Sequence, residues 1–181
     1  MLGRVGDDKA LATSIVRYAA DSAFPEHEHQ LCGELCVMEG VLSEEHGDYP
    51  AGTYVRNPDD TRHSPFSKDG CTILVKLRQF EQNDYRHFSI NKATADWEPR
   101  GLPGLSVIHL HEYGTEMVRF VKFDPGARVE DDAHPGSEAL HVPEGTLNST
   151  MRTEAIQRKY CCVSRMAAVI RRGMTKVASY G

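Results

Sequence analysis

Three histidines, His27, His29 and His63, constrain the fold of this chain more than any other feature. His27 and His29 are two residues apart in a segment that reads as extended, so strand alternation places both side chains on one face. His63 lies far along the chain, and it can meet the other two only if several strands curl around a shared interior. This spacing predicts a small β-barrel.

The residue types in this stretch are those of a metal site. Imidazole nitrogen suits Zn, Fe, Cu or Ni, and three histidines with a carboxylate make a mixed nitrogen and oxygen site for a first-row divalent metal. Glu34 is the candidate carboxylate. The predicted metal ligands are therefore His27, His29, Glu34 and His63.

The overall charge excludes one class of function. The 181 residues carry a net charge of -5, with a pI near 6.0, whereas a nucleic-acid-binding domain would usually be basic. A small-molecule ligand or substrate, a metal or a protein partner fits better than nucleic acid. No apolar run approaches the roughly 20 residues of a membrane span, and the first residues lack the order of a secretory signal. These features predict a soluble, cytoplasmic protein with no membrane contact.

The cysteines indicate a reducing compartment. There are five of them, an odd number without the spacing of a secreted disulfide scaffold, so free thiols are expected. Cys32 and Cys36 lie beside the proposed metal ligands, where we interpret them as small apolar residues of a strand.

Short alternating or apolar runs, separated by glycine and proline turns, recur along the chain and predict strands. The runs are 15–18, 35–40 continuing through 41–43, 53–57, 71–77, 105–111 and 117–123. Strands of this length and spacing predict an all-β sandwich or barrel.

The residue pattern of the first half of the sequence repeats 105 residues later. Laying Val16 on Val121 without gaps also aligns His29 with His134 and Glu39-Gly40 with Glu144-Gly145, which indicates two copies of one β unit. The second copy is chemically weaker. Its version of the metal site has been reduced to Asp132, His134 and Glu138.

The motifs resemble those of a known family. His27-x-His29, an acid shortly after, Gly40, and Gly52-x5-Pro58-x4-His63 resemble the two motifs of the cupin superfamily. The stretches 46–58 and 70–79 are similar, more narrowly, to ChrR-like cupins, a group that includes the cupin domain of the ChrR anti-sigma factor and stand-alone bicupins. The resemblance implies a double-stranded β-helix, or jelly-roll barrel, that binds Zn2+ or Fe2+ through His27, His29, Glu34 and His63.

Two departures from the family pattern qualify what it implies. Glu34 is five residues before Gly40 instead of six, and Gly33 occupies the expected place. Under a strict register Glu34 faces away, and three histidines plus water form an open site. Residues 1–13 also lack the zinc-binding helical module with which ChrR grips its sigma factor, so inhibition of a sigma factor is not expected.

The resemblance leaves two functions open. One is a metal-binding regulatory protein of stress-response type, in which a closed site holds Zn2+ and responds to oxidation or to a ligand. The alternative is an Fe(II)-dependent dioxygenase that cleaves diketone- or hydroxyketone-type substrates, with His27, His29 and His63 holding iron and Glu34 acting as a nearby base.

The predicted organisation is a tandem bicupin with an incomplete second barrel. The first barrel, with the metal site, spans 13–82, a connector spans 83–104, and a degenerate second cupin begins over 105–147. Residues 148–181 are an atypical basic tail with seven basic residues and one acidic residue. We interpret this tail as a frameshift product, or alternatively as a helix with Ile156, Tyr160, Val163, Ala167 and Ile170 on one face. Unpaired strand edges in the broken barrel would invite a homodimer.

Overall fold

The computed structural model describes residues 3–5, 11–28, 33–78, 80–129, 137–142, 144–149, 156–158, 160–166 and 178–180. All regular structure in these residues is β-strand, which confirms the all-β prediction. The chain divides into two compact units, Met1–Ala95 and Asp96–Gly181. Within the described ranges, no helix has the length and apolar character needed to cross a membrane.

The first unit has eleven strands in its described residues. They are β1 Gly3–Val5, β2 Leu11–Tyr18, β3 Ser22–Ala23, β4 His27–Glu28, β5 Gly33–Glu44, β6 Gly47–Pro50, β7 Thr53–Asn57, β8 Arg62–His63, β9 Phe66–Ser67, β10 Cys71–Leu77 and β11 Phe88–Asn91. The main sheet has the order β1-β2-β10-β5-β7-β11, while β6 and β9 pair with the far end of β5 and β3 pairs with β9. β4 and β8 form a separate two-stranded ladder.

Several of these strands match the runs predicted from the sequence. β7 and β10 have the predicted bounds, and the two apolar runs around Gly40 join into the single strand β5. β11 falls inside the segment expected to be a connector, yet it pairs with β7 and extends the first sheet. The alternation of Phe88 and Ile90 is too short to mark a strand by itself.

One face of this sheet carries the hydrophobic core of the first unit. Leu35 and Val37 on β5, Val55 on β7 and Ile73 on β10 pack together in it. The core also contains Tyr18, Leu42, Tyr49 and Cys71. Side chains alternate along a strand, so the side chains of Glu34 and Cys36 on β5 belong to the opposite face.

Gly40 lies at a point where only glycine fits. The register between β5 and β10 shifts so that Thr72 opposes Glu39 and Ile73 opposes Val37, which places a bulge at Met38. Gly40 follows with a φ of 73°, and a Cβ there would overlap the carbonyl oxygen of Gly70. The bulge and the close backbone approach together account for the glycine seen in the sequence motif.

The second unit contains nine strands in the residues described for it. They are β12 Glu98–Pro99, β13 Leu105–Tyr113, β14 Glu116–Phe123, β15 Arg128–Val129, β16 Ser137–His141, β17 Gly145–Ser149, β18 Ile156–Arg158, β19 Tyr160–Met166 and β20 Ala178–Tyr180. They form two sheets, β12-β13-β14-β19-β16 and β15-β20-β17-β18. Leu105, Val107, Val121 and Val142 form the core of this unit.

The strand pattern of the second unit follows the internal repeat. Each end of β14 lies 105 residues after the corresponding end of β2. β19 lies between β14 and β16, just as β10 lies between β2 and β5. The tail therefore supplies a strand where the first unit uses β10, and the helix alternative is wrong for residues 156–158 and 160–166. The frameshift remains a hypothesis.

Candidate metal centre

Of the three predicted histidine ligands, His63 is the one whose side chain the structure describes. It ends β8 and is 5% exposed. Its Nδ1 pairs with Oε2 of Glu44 at the end of β5. The hydroxyl of Tyr49 on β6 donates to the other oxygen of Glu44 at 2.7 Å. Glu44 is thus held through both carboxylate oxygens.

The electrostatics of Glu44 define which nitrogen of His63 carries a proton. Burial by itself would raise the pKa of Glu44, but the hydrogen bonds from His63 and Tyr49 outweigh it and the pKa lies below its ordinary value. Burial and the neighbouring carboxylate raise the pKa of Tyr49, which keeps its phenol protonated. An ionised carboxylate can only accept, so His63 donates from Nδ1 to Glu44.

The ladder between β4 and β8 brings two predicted ligands to matching positions. His27 is directly opposite His63 in the antiparallel register. His29 lies outside the described residues, as do Cys32 and the Asp132, His134 and Glu138 set of the second copy.

The structure places Glu34 among hydrogen-bond donors. Lys76 Nζ donates to its Oε1 at 2.5 Å, and Tyr54 Oη donates to its Oε2 at 2.5 Å. Arg56 Nη1 lies 3.4 Å from the same Oε2. Lys76, Glu34 and Arg56 are direct neighbours across β10, β5 and β7, and all lie on the sheet face opposite Leu35 and Val37.

The ionisation of Glu34 follows from these partners. Burial raises its pKa, but the charge and hydrogen bond of Lys76, the hydroxyl of Tyr54 and the charge of Arg56 together bring the pKa below its ordinary value. Burial beside this carboxylate raises the pKa of Tyr54 well above its ordinary value. The group is a buried, paired carboxylate.

Arg56 extends this network to the segment after β10. Its Nη2 donates to Asp84 Oδ2 at 2.5 Å, and both side chains are fully buried. Its guanidinium carbon lies 3.4 Å from the centre of the Phe80 ring. An arginine inside an alternating strand is a signal of a buried ion pair, but the sequence does not show that Asp84 is its partner.

Cys36 behaves as the predicted small strand residue. Cys36 and Cys71 are free thiols, as predicted from the number and spacing of the cysteines. Burial raises the pKa of Cys36 to about 12. A thiol with so high a pKa is protonated and inert as a nucleophile.

A second group of metal-binding residue types surrounds Glu44. One ligand atom each from Glu44, Glu45 and His46 lies within 4.8 Å of the others. Sequence reasoning missed Glu44, because acidic residues next to Gly47 are ordinary turn chemistry. The signal available in the sequence was an acidic residue at the end of an apolar strand.

The comparisons with known proteins agree with this architecture. Residues 1–81 match the ChrR Cupin-like domain family. The first unit therefore carries a ChrR cupin-like domain. No curated protein sequence matches the chain significantly.

Solved structures extend the cupin fold over both units. A putative dioxygenase from Nostoc punctiforme PCC 73102 is 13% identical, with a TM-score of 0.70 over 97% of this chain and 70% of that chain. A cupin 2 conserved barrel domain protein from Leptotrichia buccalis is 12% identical, with a TM-score of 0.60 over 98% and 81%.

Salicylate 1,2-dioxygenase from Pseudoaminobacter salicylatoxidans shares the fold as well. It is 11% identical, with a TM-score of 0.63 over 94% of this chain and 64% of that chain. Such low identities establish the fold alone. The prediction of a jelly-roll cupin, whose sheets here do not close into a full barrel, is confirmed.

Proposed function

We propose that the ChrR cupin-like domain binds a first-row divalent metal, Zn2+ or Fe2+, through His27, His29 and His63. The observation that carries the proposal is the orientation of His63. Glu44 accepts from its Nδ1, which directs Nε2 away from the carboxylate, and the β4–β8 register puts His27 directly opposite.

Glu44 acts as a positioning residue in this proposal. A histidine that binds a metal through one nitrogen commonly donates from the other to a carboxylate, which fixes the ring orientation and raises the basicity of the ligating nitrogen. Tyr49 in turn fixes Glu44. The residues present therefore fit a metal held by imidazole.

We leave Glu34 outside the ligand set, although the sequence motif suggested it. Lys76 Nζ and Arg56 Nη1 lie 2.5 and 3.4 Å from its oxygens, so a metal cation bound to Glu34 would be repelled by two buried positive charges. Three histidine ligands leave coordination positions for a small molecule, and a metal bound there would act as a Lewis acid.

The preferred role is a regulatory, metal-binding protein of stress-response type, as in the ChrR group. A second candidate is an Fe(II)-dependent dioxygenase acting on diketone- or hydroxyketone-type substrates. The pairing of Glu34 with Lys76 favours this candidate, because a metal held by the three histidines alone keeps coordination positions for a substrate. Two of the solved structures that share the fold are described as a putative dioxygenase and a salicylate 1,2-dioxygenase.

The metal content of protein purified without added metal tests the proposal. We expect about one tightly held equivalent in the wild type and none in His63→Ala. His109→Ala is the matched control, because His109 is an exposed histidine in β13, and it should keep the metal. A wild-type protein without metal would contradict the proposal.

The identity of the metal then separates the two roles. Bound iron, together with oxygen consumption on diketones that His63→Ala abolishes, would support the dioxygenase. Bound zinc without oxygen consumption would support the regulatory role. Oxygen consumption that survives His63→Ala would argue against catalysis at this centre.

A further inference from the structure

The turn between β5 and β6 gathers metal-binding side chains that the proposed centre does not use. We propose that Glu45, His46 and His87, with Oε1 of Glu44, form a second divalent-cation site of the zinc, nickel or cobalt class. This inference goes beyond the proposed function, because none of the three histidines of the first centre is a ligand in it.

The β5–β6 turn supplies three of the four groups. Ligand atoms of Glu44, Glu45 and His46 all lie within 4.8 Å of one another. Nδ1 of His46 is 3.7 Å from Oε1 of Glu44. The His46 side chain that would supply the imidazole is 55% exposed.

His87 brings a second imidazole from the segment before β11. Its ring centre is 5.7 Å from that of His46, and the two rings meet edge to face at 87°. Two imidazoles that bind one zinc at about 2.0–2.1 Å through ring nitrogen have ring centres roughly 5 Å apart. The separation of the two ring centres is therefore near the value that one shared ion requires.

Both carboxylates are already fixed in place. Tyr49 and His63 hold Glu44, and the backbone N–H of Ser64 donates to the two oxygens of Glu45 at 2.9 and 3.1 Å. Each carboxylate oxygen has a further lone pair for a metal. Fixed carboxylates lower the ordering cost of binding.

The donor set selects the class of cation. Imidazole with carboxylate suits zinc, nickel or cobalt, whereas calcium and magnesium prefer oxygen alone. The exposure of His46, Glu45 and His87 predicts weaker binding than at the buried centre. A bound ion would connect the β5–β6 turn to the segment that leads into β11.

Zinc titration of the full chain carrying its resident metal tests the site, with isothermal calorimetry as the readout. We expect the wild type to take up a further equivalent. His87→Ala and Glu45→Gln should each weaken that uptake on the order of 10-fold or more. His109→Ala is the control for loss of an exposed histidine and should titrate like the wild type. Circular dichroism should show all variants folded.

The two metal sites fail separately in this experiment. His87→Ala should lose the further zinc uptake while keeping the resident metal. Absence of further uptake in the wild type, or uptake in His87→Ala equal to that of the wild type, would overturn the second site without affecting the first.

Discussion

His63 and Glu44 form a buried pair in which imidazole Nδ1 faces carboxylate Oε2. The two residues come from β8 and from the end of β5. The pair fixes the ring of His63 and directs Nε2 away from the carboxylate. It is the feature on which the proposed metal binding by the cupin-like domain most depends.

Removing the charge of Glu44 should weaken the metal centre without deleting a ligand. Glu44→Gln loses the ionised acceptor for His63, and loss of such a partner typically costs roughly 10–100-fold in metal affinity. Competition with a chelator on the resident metal measures this. Glu98→Gln, an exposed change in β12, is the control, and equal affinity for the two variants would contradict the positioning role.

The Lys76 and Glu34 pair should behave as a coupled buried ion pair. Glu34→Gln or Lys76→Met alone leaves an uncompensated charge, so each should lower the free energy of unfolding by about 3–5 kcal/mol. The double variant should lose less than the sum of the two. Urea unfolding measures this, with Lys68→Met as an exposed lysine control. Strict additivity would argue against the pairing.

The same pair predicts a dependence of stability on pH. The pKa of Glu34 is lower in the folded protein than its ordinary value of 4.5. Its contribution is therefore fully present above that value and is lost as the pH falls through the folded pKa, because the unfolded chain binds the proton more readily.

Urea midpoints at neutral pH and at steps below 4.5 test this dependence. The wild type should lose more stability on acidification than the Glu34→Gln/Lys76→Met double variant, which lacks the titrating group. Parallel curves for the two proteins would show that Glu34 is not responsible.

Asp84 should hold the segment between β10 and β11 on the sheet. Asp84→Asn leaves the buried guanidinium of Arg56 without its carboxylate partner at 2.5 Å, which should cost about 3–5 kcal/mol. Hydrogen exchange should rise in β11, which follows this segment. Asp96→Asn, at an exposed position, should leave the exchange of β11 unchanged. Unchanged protection in Asp84→Asn would contradict this role.

Local pattern accounts for much of the fold. The alternation in Thr53–Asn57 and the β-branched run in Cys71–Leu77 suffice to predict β7 and β10, since both signals lie within the strand itself. β11 is different. Its four residues become a strand because β7 offers an edge for pairing, and that edge exists only after the sheet has formed.

The sequence by itself determined the all-β class, the internal repeat and the pairing of His27 with His63 as candidate ligands. These follow from the spacing of residues along the chain, which can be read directly from the sequence. Only the tertiary structure determined which partners surround Glu34 and Glu44. The register sets Glu34 beside Lys76, and chain folding brings Glu44 to His63, because the energy of a buried carboxylate depends on partners distant in sequence.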